Sequence, residues 1–242
     1  MRRYHWRPDL PDHRDFLYSL HQPAATALPQ QVDLRAHCPP VVDQGQLGSC
    51  TANALAGAMG FIHPGAPAFS RLFVYYNERA IEGTIGQDAG AMIRDGVKSL
   101  ANQGVCPETD CPYNIARFTR KPTKKAYSDA LKTKATSYLR LVTLDDMLQC
   151  LAAGFPFVFG FTVYDAFESE AVAKTGVLNM PGKGEKVLGG HAVMAVGYDM
   201  AARRLIVRNS WGADWGQAGY FTMPFDYITH RGLSDDFWTL RA

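Results

Sequence analysis

The chain has 242 residues, 47% hydrophobic and 20% charged, the balance of a globular protein with a sizeable core and not of a disordered one. Lys and Arg number 25 against 23 Asp and Glu, a net charge of +2 that gives no footing for nucleic acid or an anionic membrane as partner. The longest apolar run, 151–164, is too short for a bilayer and holds Gly154 and Pro156, so it reads as a buried strand of a soluble protein.

Residues 1–27 are rich in Arg, Pro, Asp and His and lack periodicity. They read as an extended arm ending in a Pro-Ala-Ala-Thr-Ala linker, or equally as a disordered tail. With no continuous apolar stretch and no small-residue cleavage site, the segment is not a secretory signal as it stands. The default location is therefore cytoplasmic, with export by another route left open. Next, Cys50 to Ile62 is Ala-rich with Leu55, Met59 and Ile62 on one face, a buried helix with Ser49 placed to cap it. Ser70 caps a second helix that stops near Gly83, and a third is expected from about Ala89 to Gln103, with Gly104 past its end. Cys106 to Lys125 is loop material. Thr143 with Asp146 makes a capping box for a short helix ending at Gly154. Beyond it the period changes: 157–163, 187–198 and 204–208 are β-branched, apolar and bounded by Gly or Asp, hence strands. Helices first and strands second imply an α+β protein of two lobes with a cleft between them.

Three distant segments carry the chemistry. In Asp43-Gln-Gly-Gln-Leu-Gly-Ser-Cys50, glycines turn the backbone and deliver Cys50 to the first position of a helix, where the dipole and open N–H groups favour a thiolate and can hold an oxyanion. In Gly189-Gly-His191-Ala-Val-Met-Ala-Val-Gly-Tyr198, a histidine stands on a strand of small and apolar residues, a rigid platform for a general base. In Asn209-Ser-Trp-Gly-Ala-Asp-Trp-Gly-Gln-Ala-Gly-Tyr-Phe221, the Asn can accept an imidazole N–H and so fix which ring nitrogen faces the thiol. Alone in an Ala-rich helix, Cys50 would read as a small core residue. The other four cysteines, Cys38, Cys106, Cys111 and Cys150, can be free or paired, and no Cys-x-x-Cys or His-Glu-x-x-His suggests a metal.

In these three segments the sequence resembles the papain-like cysteine peptidases, over about Leu28 to Ala242 and beginning at Val32-Asp-Leu-Arg35. The resemblance implies a two-lobe α+β fold, with a mainly helical lobe at about 45–130 and a β-barrel-like lobe at about 131–235. It implies a cysteine endopeptidase that cleaves peptide bonds through a thioester acyl-enzyme, without cofactor or metal, with Cys50 as nucleophile and His191 as base forming a thiolate–imidazolium pair. Asn209 would orient His191, Trp211 would shield that bond, and Gln44 would donate to the oxyanion. Asp88-Ala-Gly90 is similar to the family's substrate strip, which makes Gly90 and the Gly190 carbonyl peptide contacts. Met92, Ala192 and Asp235 or its neighbour Asp236 would line the pocket for the side chain two residues before the scissile bond, where an acid would favour Lys or Arg. Partners implied are a polypeptide substrate and a proteinaceous inhibitor, with the chain a monomer. Two other classes compete: a papain-fold acyl transferase, deamidase or isopeptidase, and a catalytically dead binding scaffold. The pattern departs from the family at Leu47 and Gln87, where it has a cysteine pair, and at Thr51, where it has Trp. In place of the family's long propeptide only residues 1–27 could serve, and they are expected to lie against the cleft and restrain activity.

Overall fold

The computed structural model describes residues 4–21 and 27–242; residues 1–3 and 22–26 of the expected arm and linker lie outside the described residues. After β1 (Gln31–Asp33) come four helices, α1 (Cys50–Ile62), α2 (Arg71–Glu82), α3 (Ile93–Asn102) and α4 (Lys124–Ala130). β2 (Ser137–Leu141), α5 (Leu144–Ala152), β3 (Phe157–Tyr164), α6 (Glu170–Thr175), β4 (Val187–Asp199), β5 (Arg204–Arg208), β6 (Tyr220–Pro224), α7 (Phe225–Thr229) and β7 (Ser234–Arg241) follow. The helical first half and stranded second half thus segregate as the sequence predicts. The apolar run 151–164 is not one strand: its head closes α5, Gly154 turns the chain at φ +85°, and β3 takes the rest.

The strands form one antiparallel sheet in the order β2-β7-β3-β4-β5-β6, with β1 added to β4. β3 against β4 sets Gly160 opposite Ala192 and Phe161 opposite His191. The central helix α1 is buried from Cys50 through Met59, as a helix apolar on every side must be. It lies between α2 and β4, and the seam between its first turn and β4 is where the two lobes meet. Small residues let neighbours close on α1: a Cβ on Gly60 would stand 2.9 Å from the ring of Pro39, in the loop before the helix. One core gathers Leu55, Phe73, Val97 and Leu100 on the helical side, and a second gathers Phe157, Phe159, Phe161 and Phe221 on the sheet side.

Local signals behave as chemistry dictates, with two exceptions. Ser70 Oγ accepts the Phe73 N–H at 3.0 Å, Gly83 ends α2 in the left-handed region, and the Thr143–Asp146 capping box closes in both directions. Ser49 does not cap α1; its hydroxyl shares a 2.6 Å hydrogen bond with Tyr113 Oη and accepts from Asn53 Nδ2. α3 starts at Ile93 rather than Ala89, because 88–92 is extended and its helix start is capped by the arm, Asp9 Oδ1 accepting the Arg94 N–H at 3.0 Å. The arm continues past the edge strand β2, where Phe16 O accepts the Arg140 N–H at 2.8 Å and Tyr18 is buried in the sheet-side core. Among the described residues no helix is long and apolar enough to cross a membrane.

Candidate active site

Cys50 begins α1 and is fully buried. The N–H of Ala192 on β4 points at its sulfur, which brings the residue after His191 directly onto the thiol. His191 is itself buried, with Trp211 stacked on its ring at 5.3 Å and 29° and Phe161 set edgewise at 5.8 Å. His191 Nε2 lies 2.9 Å from Asn209 Oδ1. That oxygen also accepts the Ser210 N–H at 2.8 Å, so it is an acceptor, Nε2 carries the hydrogen, and a neutral ring presents Nδ1 as its basic atom.

Gln44 enters from the loop before α1. Its backbone N–H donates to Ser210 O at 2.9 Å, Ser210 Oγ donates to its Oε1 at 2.6 Å, and its Nε2 donates to Leu47 O at 3.0 Å. The amide is therefore locked with one Nε2 hydrogen committed and a second to offer. Cys50, His191, Asn209 and Gln44 are all buried and come from four separate stretches, two on the helical side and two on the sheet side. Thr51, where the resembled pattern has Trp, donates its hydroxyl to Glu78 Oε2 at 2.7 Å. Glu78 is fully buried and desolvation raises its carboxyl to about 8, so the departure exchanges aromatic packing under the helix start for a hydrogen-bonded acid.

Residues 4–9 of the arm lie along this seam. The Tyr4 ring sits 5.9 Å from His191 and 6.0 Å from Trp211, and its hydroxyl donates to Glu168 Oε1 at 2.5 Å. The His5 N–H points at Cys50 Sγ. The Trp6 N–H donates to Gly190 O at 2.9 Å, and the Arg7 N–H to Ala91 O at 3.2 Å, with Arg7 paired to Glu82. Gly90 is held at φ +69°, and a Cβ there would lie 1.7 Å from His5 O. Gly90 and Gly190 thus border the extended chain that occupies the seam, as does the Ala91 carbonyl. The thiolate expected from the helix start is not the form favoured under this cover: burial pushes the Cys50 thiol up to about 11, against the bonds from Ala192 and His5 N–H groups.

Of the expected pocket residues, Ala192 belongs to the apolar cluster that holds Trp6, while Met92 sits farther along, beside Leu10, Pro11 and Asp12. Asp235 faces outward and pairs with Arg140 at 3.2 Å. Asp236 is the buried acid that reaches the arm, its Oδ2 accepting Trp6 Nε1 at 3.1 Å and the Asp9 N–H at 2.8 Å. Asp236 lies in the left-handed region at φ 60°, which turns its side chain inward and leaves Asp235 to solvent. Gly160 and Ser210 escaped the sequence reading; a lone Gly in the run Phe157–Tyr164 was the available signal for a close approach. All five cysteines are free thiols, and among the described residues no group of three or more His, Cys, Asp or Glu could hold a metal ion.

Comparison with known proteins gives a consistent picture. The family described as papain family cysteine protease matches residues 28–237. A peptidase C1-like protein of Acanthamoeba polyphaga mimivirus is 44% identical over 214 residues, covering 83% of this chain and 69% of that protein. A cathepsin B-like protein of Giardia intestinalis is 32% identical, covering 82% and 70%. Among solved structures, xylellain, a cysteine protease from Xylella fastidiosa, superposes with a TM-score of 0.90 at 42% identity, covering 99% of this chain and 96% of that one. The bromelain protease of Ananas comosus, in an inhibitor complex, gives a TM-score of 0.66 at 26% identity over 88% and 99%. The two-lobed α+β architecture is the one these structures share.

Proposed function

The chain belongs to the papain family of cysteine proteases and is a cysteine peptidase; on that premise we propose that Cys50, His191, Asn209 and Gln44 are its catalytic set, acting on internal bonds of a polypeptide under the control of its own arm. The observation that carries this reading is the 2.9 Å bond between His191 Nε2 and Asn209 Oδ1. It spends the far nitrogen of the ring and leaves Nδ1 to take the Cys50 proton. Cys50 Sγ then attacks the peptide carbonyl, and the oxyanion finds the second Gln44 Nε2 hydrogen and the Cys50 N–H at the start of α1. His191 returns the proton to the leaving amine, and water, deprotonated by the same ring, releases the acid from the thioester. Trp211, stacked on His191, keeps water from the bond that orients it.

Cleavage within a chain is favoured because the track is open on both sides of Cys50. The arm itself runs from Glu168 at one end to Glu82 at the other, past the sulfur. In domain terms, residues 28–242 form the catalytic body, and residues 4–9 of the arm are the segment that covers the cleft. The direction of the arm supports a plug rather than a substrate. The leaving amine must lie on the side of His191 and Trp211, so a cleavable chain puts its later residues there. Tyr4, which precedes His5, occupies that side, and the His5 N–H faces the sulfur. The test is alkylation by an epoxide thiol inhibitor followed by mapping. Of the five cysteines, Cys50 should carry the label, faster in a chain starting at Leu28; labelling elsewhere, or equal labelling of His191→Ala, sinks the assignment.

Docking of the arm should also depend on pH. It buries Asp9 against Asp236, and burial, then the charge of Asp9, raises Asp236 to about 8, while burial raises Asp9 as well. The charged groups facing them are Arg94 and Arg140, both paired with Asp15, and Asp235, so four carboxyls meet two guanidiniums. A carboxyl whose value is raised by docking favours the docked state fully below the usual carboxylate value near about 4, progressively less above it, and not at all beyond about 8. Restraint should therefore weaken as pH rises from 5 to 8, by at most about tenfold per unit for each linked proton. The measurement is the activity ratio of the Leu28 chain to the whole chain at each pH; a ratio that grows with pH contradicts the linkage.

A further inference from the structure

The seam holds one side chain in a fitted pocket. Trp6 is 8% exposed although it stands on a segment with no regular structure of its own. Two glycines make room for its ring: a Cβ on Gly160 would come within 1.9 Å of Cε2, and one on Gly190 within 2.6 Å of Cε3. Neither has a positive φ, so in both cases the missing side chain serves space and not backbone conformation. At the floor, Asp236 Oδ2 accepts the indole N–H. Ala192 and Val158 belong to the same apolar cluster. The pocket is therefore flat, deep enough for two fused rings, and supplied with one acceptor where an indole has its one donor.

Resting on the reading of this seam as the substrate track, we propose that the pocket selects tryptophan in the substrate, with Gly160, Gly190 and Asp236 as the specificity-determining residues and Trp6 as the built-in occupant that mimics it. The main-chain bond beside the pocket fits this: Gly190 O, which receives the Trp6 N–H, would receive the N–H of a substrate residue on the same track. A basic side chain suits the pocket less well, although an acid stands at its floor. Arg140 already lies 3.5 Å from Asp236 Oδ1 and 3.2 Å from Asp235 Oδ1, so the negative charge there is met, and a second cation would approach the first. Burial also holds the Asp236 carboxyl toward its neutral form in the docked state. A phenyl ring would fit but leave the buried acceptor without its donor.

The experiment uses the full chain carrying Trp6→Ala, which empties the pocket, and peptides that vary only two residues before the scissile bond. Trp should be cleaved best, with Phe, Leu, Lys and Arg lower by about tenfold or more in kcat/KM. A benzothienylalanine peptide, which keeps the bicyclic shape but has sulfur in place of the N–H, should fall to the level of Phe; this variant leaves the protein untouched. Asp236→Asn, which keeps an acceptor and suits a left-handed backbone, should retain the Trp preference, and Gly160→Ala should move it to smaller side chains. Preference for Lys or Arg that disappears in Asp236→Asn would overturn the proposal, as would equal cleavage of the Trp and benzothienylalanine peptides. Cleavage that survives Cys50→Ala would instead overturn the assignment of the seam as the reacting site, and this inference with it.

Discussion

A chain starting at Leu28 should hydrolyse peptides about a hundredfold faster than the whole chain, the factor expected if the arm is docked about 99% of the time. The arm is held along its length by unlike ties. Arg7 pairs with Glu82 and Asp15 bridges Arg94 and Arg140, while Asp9 accepts both the Arg94 N–H and Trp238 Nε1. Trp6 fills its pocket, and the whole array buries a thiol whose value rises to about 11 under the cover. Lifting the arm admits water to the start of α1, removes the desolvation that keeps the proton on sulfur, and leaves the helix start and His191 to favour the thiolate. The same residues stabilise the body, since Asp9 caps α3 and Tyr18 is buried in the sheet-side core. A chain starting at Pro8 separates the two roles: it keeps both anchors and removes only Tyr4 to Arg7 over Cys50. It should show most of the gain. If both shortened chains match the whole chain in kcat/KM, the arm is no plug.

What could be read from the residues alone follows a physical line. α1 and α2 were legible because their apolar spacing and small residues are local facts, and Ser70, Gly83 and Thr143–Asp146 act within one turn of themselves. His191 and Asn209 were legible because each sits in a long, ordered run of residue types, and the fold brings them within one hydrogen bond. Ser49 was misread because its hydroxyl is claimed by Tyr113, a partner 64 positions away that no local rule supplies. The start of α3 was set too early because Asp9, near the chain start, caps it from another segment. Asp235 and Asp236 could not be told apart from an alternating strand pattern. A positive φ at Asp236, imposed inside β7, decides which of them turns inward. An ionised thiol is what a helix end and an imidazole together predict; complete burial belongs to tertiary structure, and in the docked state it favours the protonated form instead.

Replacing His191 by alanine in the Leu28 chain should lower kcat/KM by about 10⁴-fold or more, with Cys50→Ala at least as severe and the double variant no worse than either. The lack of additivity is the informative part, because sulfur and ring act as one unit: without the imidazole the thiol keeps its proton near neutral pH and the leaving amine has no donor. Asn209→Ala should cost less, since the ring survives, but it frees Nε2 and lets the proton settle on either nitrogen. The loss should therefore come in kcat with KM little changed. Folding is the competing explanation, as His191 is buried among Phe161, Phe167 and Trp211. His191→Gln, which fills most of the same volume, answers it: a chain with the wild-type melting temperature and a 10⁴-fold loss places the defect in chemistry. Activity within tenfold of wild type in either His191 variant would remove the base from the mechanism, and with it the reason for Asn209 to lie 2.9 Å from that ring.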